Sequence, residues 1–177
     1  MTGRIRWAEN VQLWSNLPVM KVRQYCYFAV DSAMTPTSTM TALLGIEPDV
    51  AHTKGDLTAS GRVRGLNEWR IVEETNDAID DQIQRLIDRL APCRPQLVKW
   101  AEDQDISSRL QIVRYYHDPD GSHGAPGGTQ IGEARKWPRP LGWHLSVEVL
   151  QFLSSTSTDL DVDEYDFSPD EVDTNEV

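Results

Sequence analysis

Five apolar residues, Ile79, Ile83, Leu86, Ile87 and Leu90, recur at helical spacing with Asp80, Asp81, Gln84, Arg85, Asp88 and Arg89 between them. This one-sided helix constrains the fold more than any other feature of the chain, because a single apolar stripe is stable only when another apolar surface covers it. Pro92 ends the pattern, and Pro95 can open another helical turn presenting Leu97, Val98 and Trp100 or Ala101. The covering surface has to come from strands elsewhere in the chain.

Residues 22–31 supply the first candidate, with Val22, Tyr25, Tyr27, Phe28 and Val30 suiting a pleated, largely buried strand. Residues 67–75 read as a second strand with Trp69, Ile71 and Val72 toward the core, and residues 50–56 as a weaker one. Residues 106–117 return to a strand pattern through Leu110, Ile112, Val113, Tyr115 and Tyr116. Between the first two strands, Thr35, Pro36 and the run to Leu44 offer a Thr cap, a proline at the first helical position and Gly45 where a helix should stop. Leu145, Val149, Leu150 and Leu153 suggest a last helix, and Leu160 and Val162 alternate with Asp159, Asp161 and Asp163 as a final strand with one acidic face.

The order of elements predicts an α+β fold, a mixed and mainly antiparallel sheet packed by two to three helices. The first and last thirds both run strand, helix, strand, which raises the question of two similar halves, although too few residues are shared to claim a repeat. The expected organisation is an N-terminal extension at 1–21, a single domain at 22–167 and an acidic disordered tail at 168–177. Within the domain, residues 118–141 hold five glycines and four prolines, a loop too long and too broken for regular structure. At 177 residues, 39% of them hydrophobic, one core can form without staples and a second full domain has no room.

Charge excludes some functions. Nine acids and no lysine or arginine lie between 159 and 177, whereas the other 158 residues carry 19 acids against 17 bases. A nearly neutral body with an acidic end points to an interaction surface and disfavours non-specific nucleic-acid binding, which needs a basic excess. No window approaches 18 uninterrupted apolar positions, which excludes a transmembrane helix and argues against a secretory signal. Cys26 and Cys93 stand in no Cys-x-x-Cys or zinc spacing and read as reduced, buried thiols of a cytoplasmic protein.

Candidate chemistry is sparse. His52, Lys54 and Asp56 lie within five residues, the groups an acid-base site uses, but Gly55-Asp56 is also ordinary turn chemistry. His117, Asp118, Asp120 and His123 could donate to a metal, yet the calcium-loop register puts Tyr116 and Gly127 where carboxylates belong. The loop glycines fit neither the dinucleotide fingerprint nor the phosphate loop, and no Gly-x-Ser-x-Gly elbow is present, so no cofactor and no catalytic residue is assigned. Of the six tryptophans, Trp69 and Trp100 read as core, while Trp137 and Trp143 are candidates for an aromatic anchor.

Several segments together carry a resemblance: Tyr27-Phe28-Ala29-Val30 before a Pro-Thr helix, Leu43-Leu44-Gly45-Ile46-Glu47-Pro48, His52-Thr53-Lys54-Gly55-Asp56, a Trp69 strand and Asp161-Val162-Asp163-Glu164-Tyr165. Over residues 22–167 the chain resembles the bacterial domain-of-unknown-function family 4279. The resemblance implies a small α+β domain without an established activity, in a family some of whose members look like immunity proteins of toxin systems. The expected function is therefore a protein-binding module of immunity or antitoxin type. It would bind a basic partner, such as a toxin, through Asp159, Asp161, Asp163, Glu164 and Asp166 with Trp137 and Trp143. The alternative is a small hydrolase or metal-dependent enzyme using His52, Asp56 and the loop histidines His117 and His123.

Overall fold

The twelve residues of β1 (Lys21–Ser32) form the centre of the sheet, in a computed structural model that describes residues 21–123 and 142–168. Residues 1–20, the stretch 124–141 and the tail from 169 lie outside the described residues. Aromatic and branched side chains let β1 pair along both edges. It runs antiparallel to β3 (Asn67–Glu73) from Cys26↔Glu73 to Ser32↔Asn67, and antiparallel to β4 (Ile106–Tyr116) from Val22↔Tyr116 to Ser32↔Ile106. A short β2 (Val50–His52) extends the sheet beyond β3, and β6 (Asp159–Asp166) extends it beyond β4.

Among the described residues, only β6 runs parallel to its neighbour, from Arg109↔Asp159 to Tyr116↔Asp166. A parallel neighbour needs a crossover, and α4 (Val147–Ser155) lies on that connection. In the first strand-helix-strand unit β2 points the same way as β1, because each is antiparallel to β3 between them, and in the last unit β6 points the same way as β4 and lies directly beside it. The two units thus share strand direction and differ in that β3 is inserted between β1 and β2.

Alternation along β1 separates two faces. Val22, Gln24, Cys26, Phe28, Val30 and Ser32 are all buried on one of them. Against this face pack α1 (Thr37–Leu44), α2 (Ile79–Leu90), a 3-10 turn (Ala91–Cys93) with α3 (Arg94–Trp100), and α4. The predicted stripe of α2 is buried at all five positions, and Gln82 joins it. Leu97 and Trp100 of α3, the expected helical extension after α2, are buried as expected, but Val98 is exposed. In β3, Trp69 and Ile71 enter the core, whereas Val72 falls on the opposite parity and faces away from it.

Local signals explain the ends of these elements. Gly45 closes α1 at φ +75°, the left-handed conformation that glycine adopts without steric cost. Pro36, expected one position later, is itself the N-cap, and its carbonyl accepts from the amides of Thr39 and Met40. The start of the Gly/Pro loop is ordered: the Gly121 amide donates to the Asp118 carbonyl at 2.9 Å, and β5 (Ser122–His123) then pairs with Lys21 and Val22. Because β4 already occupies the other edge there, β5 must take the edge that β3 leaves after Cys26. The chain thus crosses β1 at Val22.

Candidate partner-binding face

All helices among the described residues cover one side of the sheet, so the other side is built from strand side chains alone. Register places there Arg23, Tyr25, Tyr27, Ala29 and Asp31 of β1, with Glu68, Arg70 and Val72 of β3. From β4 come Ser107, Arg109, Gln111, Val113 and Tyr115, and from β6 Asp159, Asp161, Asp163 and Tyr165.

One end of this face is a compensated ionic lattice. Arg109 bonds Asp31 and reaches over Ala29 to Glu68 at 2.8 Å, where Arg70 also donates at 2.5 Å. The alanine, whose side chain stops at Cβ, leaves room for the guanidinium to cross β1. Arg64 and His52 each stand 3.9 Å from the other Glu68 oxygen. Tyr27 lies under the Arg70 guanidinium at 4.0 Å from the ring centre and beside Arg109 at 5.9 Å, within cation–π range. Burial pushes the Asp31 carboxyl above its ordinary range, against the pull of the Arg109 charge.

The other end is an aromatic band. Tyr115 stacks on Tyr165 at 5.1 Å, lies 5.9 Å from Phe167 and 6.4 Å from Tyr25, and carries the Arg23 guanidinium 4.2 Å above its ring. Tyr25 in turn stacks on Tyr27 at 6.4 Å. Burial pushes the Tyr25 phenol up to about 12. Tyr165 and Phe167, 46% and 54% exposed, form the accessible end of the band. Charges at Asp163 and, more weakly, Asp161 raise the Tyr165 phenol.

The five acids predicted to act together are split by the pleat. Asp159, Asp161 and Asp163 lie on the open face; Asp163 accepts from the Gln111 amide at 3.2 Å, and no cation pairs with any of the three among the described residues. Glu164 lies on the helical side, held by Arg114 at 2.7 Å and by the Tyr116 hydroxyl at 2.9 Å. Asp166 accepts from the Ser168 amide and stands 4.0 Å from His117. Trp143 is half-buried against the core on the helical side, apart from all of them, and Trp137 is outside the described residues.

The histidine set does not converge. Gly55 sits at φ +96°, with its amide on the Arg64 carbonyl and the Asp56 carbonyl accepting from Arg64, so residues 53–56 are a turn. Lys54 serves the same turn through its amide on Asn67 and its ammonium on the Ala33 carbonyl. His52 pairs in register with Glu68, which lies opposite Asp31, whereas His117 follows Tyr116, which lies opposite Val22. Nine residues of strand at about 3.3 Å each put the two histidines roughly 30 Å apart. His123 is placed by its backbone in β5, next to Lys21. Both cysteines are buried and unbridged, as expected, and burial pushes the Cys26 thiol up to about 12.

The tyrosines and Phe167 were not singled out from sequence as functional, although the alternation Arg23, Tyr25, Tyr27 carried the signal. What emerges is a two-layer α+β domain with helices on one face of a mixed sheet and an aromatic, acid-bordered opposite face. The chain belongs to the family described as Domain of unknown function (DUF4279), whose model matches residues 20–167. No curated protein and no solved structure matches it. Among the described residues, no helix is long and apolar enough to cross a membrane.

Proposed function

We propose that this domain is a protein-binding module that captures a basic partner on the β6 side of its open face. One contrast carries the reading. Asp31 and Glu68 on that face and Glu164 behind it are each matched by an arginine, while Asp159, Asp161 and Asp163 have no cation among the described residues. Beside those carboxylates lie the exposed rings of Tyr165 and Phe167. Carboxylates next to aromatic faces suit lysine and arginine side chains, which gain from both. An immunity or antitoxin-type role, in which the module occludes a basic toxin, is the form of this activity that the family resemblance favours, and a cytoplasmic setting with reduced thiols goes with it.

The hydrolase alternative needs His52 and Asp56 together with His117 or His123, and no observation favours it. The test is charge reversal of Asp159, Asp161 and Asp163 to lysine, with affinity for the partner captured from the native host measured at low salt. A loss of tenfold or more is expected, with most of the change in association rate. Unchanged affinity would overturn the reading. Glu164→Gln is the control, because that carboxylate faces Arg114 and Tyr116 on the other side of the sheet.

A further inference from the structure

We infer that the partner joins the sheet as an added strand: an extended segment in which basic and apolar residues alternate, hydrogen-bonded to the outer edge of β6. The inference rests on the protein-binding reading above and specifies its mode and the chemistry of the bound segment. β6 pairs with β4 over all eight of its residues, and among the described residues no strand lies along its other edge. The unpaired amides and carbonyls of such an edge are a template for another chain.

Side chains say what that chain should look like. On the helical side, the core rows Phe28–Leu110 and Cys26–Ile112, all fully buried, continue into Leu160 and Val162 respectively, which remain 43% and 37% exposed. Both core rows thus end half-covered at β6. A strand added about 4.8 Å further out would set its own side chains beside these two residues on one face and beside Asp159, Asp161 and Asp163 on the other. Apolar residues therefore fit the first face and lysine or arginine the second, with Tyr165 available for stacking by a guanidinium.

A second copy of this chain is a poor occupant of the same edge. Antiparallel pairing of two β6 strands would oppose aspartates to aspartates on the open face, and like charges directly opposite are destabilising. The same acids that block self-pairing select a basic strand.

The experiment uses the full chain and four labelled peptides matched to the eight residues of β6. One alternates lysine and valine, one holds the same residues in two blocks, and two are alternating peptides N-methylated at every second amide in opposite registers. Fluorescence anisotropy at low salt should show the alternating peptide binding at least tenfold tighter than the block peptide. One methylated register should retain binding and the other lose it, since an added strand turns only every second amide toward β6. Equal binding by all four would overturn strand addition while leaving the acidic surface as a basic-partner site. Failure of every cationic peptide to bind would overturn both. A dimer of the free chain that dissociates in Val162→Lys would assign the edge to a second copy and overturn the inference.

Discussion

Replacing Arg109 by methionine removes a charge while keeping most of the length of the side chain, so it isolates the ionic term in the lattice on the open face. Arg109 bonds both Asp31 and Glu68, but the two acids depend on it unequally. Glu68 keeps Arg70 at 2.5 Å and has Arg64 and His52 at 3.9 Å, whereas Asp31 has no other direct cation bond among the described residues. The substitution therefore leaves one nearly buried carboxylate uncompensated. Losing one partner of a buried pair costs about 3–5 kcal/mol, and the lower end applies here because Arg109 is itself 33% exposed. At about 2–4 °C per kcal/mol for a chain of this size, a loss near 3 kcal/mol lowers Tm by roughly 6–12 °C.

The pH dependence gives the sharper check. Burial already raises the Asp31 carboxyl, and removing the Arg109 charge raises it further. A carboxyl whose folded value exceeds its unfolded one favours the folded state most below the unfolded value, about 3.9 for aspartate, and that contribution is lost as pH rises through the folded value. The deficit of Arg109→Met should thus be largest at neutral pH and shrink as pH falls through the raised Asp31 range. Urea unfolding at several pH values measures it, and adding Asp31→Asn should recover more than half of the loss at neutral pH. A deficit that is independent of pH, or that Asp31→Asn does not relieve, would show that packing rather than charge is responsible.

Gly121→Ala should lower stability by about 1–3 kcal/mol, because its Cβ would meet the Val22 and Asp118 backbones at 3.0 Å where the chain crosses β1; an unchanged urea midpoint would refute the crowding. Asp105, which accepts from the Ser32 hydroxyl and the Ala33 and Met34 amides, has its carboxyl held below the usual range, with the Ser32 bond as the leading cause. Its contribution is present above the unfolded aspartate value and lost as pH falls through the folded one, so Asp105→Asn should flatten the acid limb of a stability profile measured from pH 5 to pH 2. Cys26 and Cys93, both buried with thiols pushed up by burial, should react with a thiol reagent only as the chain unfolds, at a rate that follows denaturant concentration. Fast labelling of the folded protein would contradict their burial.

Local features of the chain fixed much of this architecture. The 3.6-residue stripe of Ile79, Ile83, Leu86, Ile87 and Leu90 defined α2, the aromatic and branched runs defined β1, β3 and β4, and Gly45 set the end of α1, because each signal acts within one element. The acidic face of β6 was legible for the same reason, since alternation puts Asp159, Asp161 and Asp163 on one side of any strand.

Only the tertiary structure decided which side of the sheet the helices cover. In β1 both parities are largely apolar, Phe28 and Val30 on one and Tyr25, Tyr27 and Ala29 on the other, so period alone could not say which would be buried and which would form the open face. The arginine that holds Asp31 and Glu68 is 78 and 41 residues away from them. The stacking of Tyr115 on Tyr165 required β6 to lie parallel beside β4. Strand order and direction follow from the packing free energy of the whole core and the route of the connections, which no local pattern contains. By itself the sequence therefore determined the elements and the acidic stripe, whereas the face that those elements present to a partner was decided by how they assembled.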